Sequence, residues 1–118
     1  IADKMIPNLV APSAPQSVRD ELRSYIVANT PEGIAGALRG MAARPDSTPD
    51  LASISVPTLV IVGAEDGLTP PAEAEALHAG IPGSQVTIIH GAGHLSNLEQ
   101  PTAFNSTLRT FLDRALSA

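Results

Sequence analysis

Apolar positions along the chain keep one spacing up to about residue 43 and a different one from residue 58 onward. Ile1, Met5, Ile6 and Leu9 recur at helical spacing, interrupted by Pro7. Ala11-Pro12-Ser13-Ala14-Pro15 reads as a loop, since two prolines stop any helix there. Val18, Leu22, Tyr25 and Ile26 then fall on one face, with Ser17 as the expected N-cap. Thr30-Pro31 reads as a capping hydroxyl followed by proline at the first helical position. Ile34, Leu38 and Met41 line one side of the helix it opens. Residues 1–43 are therefore predicted to be helical, and their apolar stripes read as packing faces without chemistry.

Arg44 to Asp50 is polar and contains two prolines, so it reads as a linker. It separates a helical part, residues 1–46, from an α/β part, residues 47–118. Thr58 to Val62 is a continuous aliphatic and β-branched run behind Pro57. Its lack of alternation predicts a strand covered on both faces, as in a parallel sheet. Thr69-Pro70-Pro71 is expected to start a helix as Thr30-Pro31 does, and Gly80, Pro82 and Gly83 to end it. Gln85 to His90 is the second predicted strand. Pro101 opens a last helix carrying Phe104, Leu108, Phe111, Leu112 and Ala115 at helical spacing.

Composition and charge remove several classes of function. The 118 residues suffice for about one domain, with a core built from Ala, Val, Leu and Ile because aromatics are only Tyr25, Phe104 and Phe111. A formal net charge of −5 and the lack of any basic cluster argue against a nucleic-acid partner or an anionic membrane surface. No apolar run approaches the roughly 18 residues of a membrane span. There is no cysteine, which excludes disulfides and thiolate chemistry. With no signal-peptide pattern at the start, the expected location is cytoplasmic.

The candidate chemistry lies where the two predicted strands end. Asp66 follows the first by three residues, beside Gly67, and His94 follows the second within Gly91-Ala92-Gly93-His94. Parallel strands joined by a right-handed helical crossover end on the same sheet edge, where the binding groups of open α/β sheets collect. Asp66 and His94 can meet there. A carboxylate that orients an imidazole fixes its tautomer and stabilises the imidazolium. Each residue also has a plainer reading: Asp66 as a turn residue accepting from local amides, and His94 as a surface loop residue. Glu65 is a rival acid. His90 reads as a strand-end residue and His78 as one on a helix face. Ser84 and Ser96 lack a nucleophile setting, and no G-x-S-x-G occurs in the chain.

Val56-Pro57-Thr58-Leu59-Val60-Ile61-Val62-Gly63-Ala64-Glu65-Asp66 with Thr69-Pro70-Pro71, then Gly91-Ala92-Gly93-His94-Leu95 and Leu98-Glu99-Gln100-Pro101, resembles the C-terminal third of an α/β-hydrolase. The similarity is greatest to the carboxylesterase and 3-oxoadipate enol-lactonase branch. It implies that Asp66 matches the acid after the seventh strand and His94 the histidine after the eighth. It also implies that residues 1–46 are the last helices of the cap over the active site, with Met5, Ile6, Leu38 and Met41 as candidate pocket liners. Catalysis of this kind needs no metal or organic cofactor. The start at Ile1 and the presence of only two strands lead to the expectation of a piece of a larger protein. Its partner would be an N-terminal half carrying the nucleophile, and its substrate a small carboxylic ester or lactone. The same late residues also serve relatives with an aspartate nucleophile, the epoxide hydrolases and haloalkane dehalogenases. The remaining alternative is an inactive module that associates through uncovered apolar faces, as a homo-oligomer or domain swap.

Overall fold

The computed structural model describes residues 1–117. Three helices come first: α1 (Ala2–Leu9), α2 (Gln16–Val27) and α3 (Pro31–Ala42). A 3₁₀ turn over Thr48–Ser53 leads into β1 (Leu59–Gly63), α4 (Pro71–Gly80) and β2 (Gln85–Ile89). The short α5 (Ser96–Glu99) and the long α6 (Pro101–Leu116) close the order.

The two strands pair in parallel, from Leu59 opposite Gln85 to Gly63 opposite Ile89. With α4 between them they form a βαβ unit, as the strand–helix–strand pattern predicts. Among the described residues the sheet has only these two strands, so each has one edge without a strand partner. The β1 side chains are accordingly half-buried until Val62 and Gly63.

Helices α1 and α2 share their own core of Ala2, Ile6, Val10 and Leu22, with Val18, Ile26 and Leu95 packed against it. Leu95 belongs to the loop after β2, so this cluster already ties the first helices to the second half of the chain. Pro7 does not break α1; it sits in the last turn, where one lost backbone bond is tolerated. Ser17 is not the cap expected of it. Helix α2 begins two residues earlier than that cap implies, at Gln16 behind Pro15, and no side chain caps it. Thr30 does cap α3, its hydroxyl accepting from the Gly33 amide at 3.1 Å. Helix α3 buries none of its residues, and Leu38 and Met41 lie exposed.

Candidate active site

The end of β1 and the end of β2 are stitched together. The Ala64 amide donates to the Ile89 carbonyl at 2.9 Å, and the Glu65 amide to the Ala92 carbonyl at 2.9 Å. The loop after β2 crosses so close over β1 that a Cβ on Gly63 would lie 2.0 Å from the Gly93 carbonyl oxygen. Gly63 is thus required for space. In the loop itself the two glycines have different roles. Gly91 adopts φ +69°, a conformation L residues avoid. Gly93 has no such angle but faces the chain at Val10 and Ala11, where a Cβ would lie 2.7 Å from the Ala11 nitrogen. Gly67, beside the acid, is neither crowded nor in the left-handed region.

These stitches bring Asp66 and His94 together. His94 Nδ1 lies 2.9 Å from Asp66 Oδ2; the Asp66 side chain is 5% exposed and the ring 34%. The carboxylate is saturated with donors. Its Oδ1 accepts the Leu68 amide at 2.9 Å and the Thr69 amide at 3.0 Å, and its Oδ2 accepts the Thr69 hydroxyl at 3.0 Å. Oδ1 thus serves the local turn amides and Oδ2 faces the ring and the Thr69 hydroxyl. Burial, the largest influence, favours the neutral acid. The hydrogen bonds from the Thr69 amide, His94, the Leu68 amide and the Thr69 hydroxyl together outweigh it, so the carboxyl is held below its ordinary value of 3.8.

An ionised Asp66 can only accept, so the proton of the Asp66–His94 bond belongs to Nδ1. The Thr69 hydroxyl, 3.2 Å from Nδ1, has its hydrogen committed to Oδ2 and can only share the ring proton as a second acceptor. Nε2 is left unprotonated in the neutral ring, and among the described residues it has no hydrogen-bond partner. A base of this geometry can take a proton from a hydroxyl and give it back.

The other candidates are placed elsewhere. Glu65 is exposed and contributes its backbone rather than its carboxylate. His90 is exposed beyond the end of β2. His78 Nδ1 lies 2.8 Å from Ser84 Oγ, which itself donates to the His78 carbonyl at 3.1 Å, so this pair closes the end of α4. Ser96, buried at the start of α5, lies with His94, Asp66 and Thr69 along an open groove of about 380 Å³. Val60, Val62, Ala74 and Leu77 from β1 and α4 form its apolar wall. Met5, Leu38 and Met41 line a separate groove of about 250 Å³ among the first three helices, and Ile6 lies in the helical core. No group of three or more His, Cys, Asp or Glu among the described residues is placed to hold a metal ion. No helix among them is long and apolar enough to cross a membrane.

Two residues of the site were not singled out from the sequence as site residues. Thr69 was expected to cap α4, yet that helix starts behind Pro70 without a side-chain cap, and the hydroxyl turns to Asp66. The extra proline and the three-residue spacing from Asp66 are the signal that distinguishes it from Thr30. Glu99 is buried; its Oε2 accepts the Gly93 amide at 2.9 Å and its Oε1 the Ala11 amide at 2.6 Å.

The fold has known counterparts. A family model described as TAP-like protein matches residues 37–116. The chain belongs to the α/β-hydrolase superfamily. It is 35% identical over 95 residues to 3-oxoadipate enol-lactonase 2 of Acinetobacter baylyi, covering 80% of this chain and 35% of that protein. A thermophilic esterase from Thermogutta terrifontis superposes with a TM-score of 0.93 at 43% identity, over 97% of this chain and 43% of the esterase. The enol-lactonase from Burkholderia xenovorans LB400 superposes with a TM-score of 0.88 at 30% identity, over 95% of this chain and 44% of the lactonase. The chain thus spans about a third of the curated enol-lactonase and under half of the two solved structures. The fold is the C-terminal portion of an α/β-hydrolase, as its motifs predict.

Proposed function

We propose that this chain supplies the acid and the base of a serine hydrolase that cleaves carboxylic esters or lactones. The observation that carries the reading is the 2.9 Å contact between His94 Nδ1 and Asp66 Oδ2 at the paired ends of two parallel strands. The esterase and enol-lactonase names of its relatives favour this substrate class over the epoxides and haloalkanes that call for an aspartate nucleophile.

In this reading the serine and the oxyanion donors belong to a polypeptide segment outside these 118 residues. That segment pairs with the free edge of β1 and covers the groove beside it. His94 Nε2 removes the serine proton as the oxygen attacks the ester carbonyl carbon. The imidazolium, balanced by Asp66, then returns the proton to the departing alkoxide. His94 then takes a proton from water as the water oxygen attacks the acyl carbon; the acyl–serine bond breaks, the imidazolium gives that proton to the serine oxygen, and the carboxylic acid leaves. Residues 1–46 serve as the end of a helical cap over the acyl group.

The test is His94→Ala in the polypeptide that carries both this chain and the serine, assayed on an activated aryl ester. Turnover is expected to fall by about a thousandfold or more. Undiminished turnover in the folded variant would sink the assignment.

A further inference from the structure

Glu99 is a buried carboxylate with no cation beside it among the described residues, and the acid–base pair does not use it directly. A charge this far from water is costly unless its oxygens are well occupied. Both are, and by amides from remote parts of the chain. Oε2 accepts from Gly93, the residue before His94; Oε1 accepts from Ala11, 88 positions away in sequence.

The surroundings repeat the link. Ala11 is fully buried, and the backbone of Val10 and Ala11 lies against Gly93 too closely to admit a side chain there. Leu95, the residue after His94, packs into the α1–α2 core. From outside, Arg19 Nη2 donates to the Ala11 carbonyl at 3.0 Å and the Pro12 carbonyl at 3.1 Å, fastening the same turn to α2. His94 is thus flanked on both sides by residues attached to the first helices, whereas Asp66 is attached to none of them.

We propose that Glu99 is a positioning residue for His94: its two oxygens clamp the Gly93 amide to the Ala11 amide, so that the loop bearing the base and the α1–α2 helices move as one body. The inference rests on the reading of His94 as the base. The carboxylate is suited to the task because it offers two acceptors and no donor. A glutamine of equal size offers one acceptor, and its amide group would oppose the second N–H.

The experiment is a double-mutant cycle in the polypeptide that carries this chain and its serine. Glu99→Gln alone is expected to lower kcat by roughly 10- to 100-fold, the scale of a catalytic group displaced by about 1 Å, with KM changed far less. In a His94→Ala background the same substitution should cost nothing further, because the residue it positions is gone. An equal loss in both backgrounds, or an unchanged kcat for folded Glu99→Gln, overturns the clamp. A His94→Ala variant with full turnover would instead overturn the reading of the base. Should Glu99→Gln not fold, Arg19→Met releases the same turn from the surface and leaves the carboxylate in place. It should lower kcat by a smaller factor, again only when His94 is present; an unchanged kcat there counts against the clamp.

Discussion

Asp66 and His94 are held in place by different means. Asp66 is fixed within its own turn: three of its four hydrogen bonds come from Leu68 and Thr69. His94 rides on a loop whose supports are Gly63 beneath it, Ala11 beside it and the α1–α2 core around Leu95. One half of the pair is a local device and the other is an assembly of distant segments. Substitutions on the acid side should therefore change chemistry while leaving the fold largely intact, and those beneath the base should disturb both.

Of the substitutions that test this difference, Asp66→Asn should have the largest effect. The amide oxygen can still serve the Leu68 and Thr69 amides, but the amide nitrogen then faces the ring. The imidazole must turn an unprotonated Nδ1 toward it and carry its proton on Nε2, where it is no longer a base. We expect kcat on an activated ester to fall on the order of 10⁴-fold, the scale seen when the triad aspartate of a serine protease is so replaced. Thermal unfolding should shift little by comparison. A kcat within tenfold of the parent would show that the ring does not depend on Asp66 for its tautomer.

Gly63→Ala probes the base side. The new methyl would sit 2.0 Å from the Gly93 carbonyl oxygen and 2.4 Å from that of Ala92, and both are backbone atoms that cannot turn aside. The loop must lift, breaking the Glu65–Ala92 bond that joins the two strand ends. Overpacking of this kind costs about 3 kcal/mol. Urea unfolding of the intact protein should show the loss as a lower midpoint, and the folded remainder should have a reduced kcat. A parent-like midpoint would mean that the seam yields, and that the distinction between local and assembled halves is weaker than the geometry implies.

The same difference decides how much of the site is legible in the sequence. The βαβ unit is legible because a β-branched run bounded by proline and glycine has few alternatives, and the strand ends fall within a residue of those expected. Parallel topology alone brings Asp66 and His94 to the same sheet edge, while their contact depends on the stitched loops beneath them. Thr69 was accessible in principle, three residues from the acid, but its resemblance to the capping Thr30 concealed it. Glu99 stands in a motif, but its role was not legible: its partners are the amides of Gly93 and Ala11, and backbone amides leave no mark in the letters of a sequence. Gly93 showed itself as a glycine, yet its reason, the backbone of Val10 and Ala11 lying against it, is tertiary. The cap misplaced at Ser17 has a local origin instead: Pro15 already sets the entry to α2, which starts without a capping hydroxyl.

The finest comparison is between two threonines that precede proline. In α3 the Thr30 hydroxyl accepts from the Gly33 amide; before α4 the Thr69 hydroxyl donates to Asp66. Valine keeps the shape and removes the oxygen from either. Thr69→Val should lower kcat by about tenfold, the value of a hydrogen bond to a charged group. It should also raise the Asp66 carboxyl toward its ordinary value of 3.8. A depressed carboxyl adds stability that is fully present above its unfolded value and is lost as pH falls through the folded one. The variant should accordingly be less stable than the parent at neutral pH, with the gap closing as both are titrated below about pH 4 and followed by thermal melting. Thr30→Val should cost about 1 kcal/mol at every pH, the usual worth of a helix cap, with kcat unchanged. If instead the stability gap of Thr69→Val were as independent of pH as that of Thr30→Val, its hydroxyl would be a helix-start residue like the other, and the link to the carboxylate would carry no electrostatic weight.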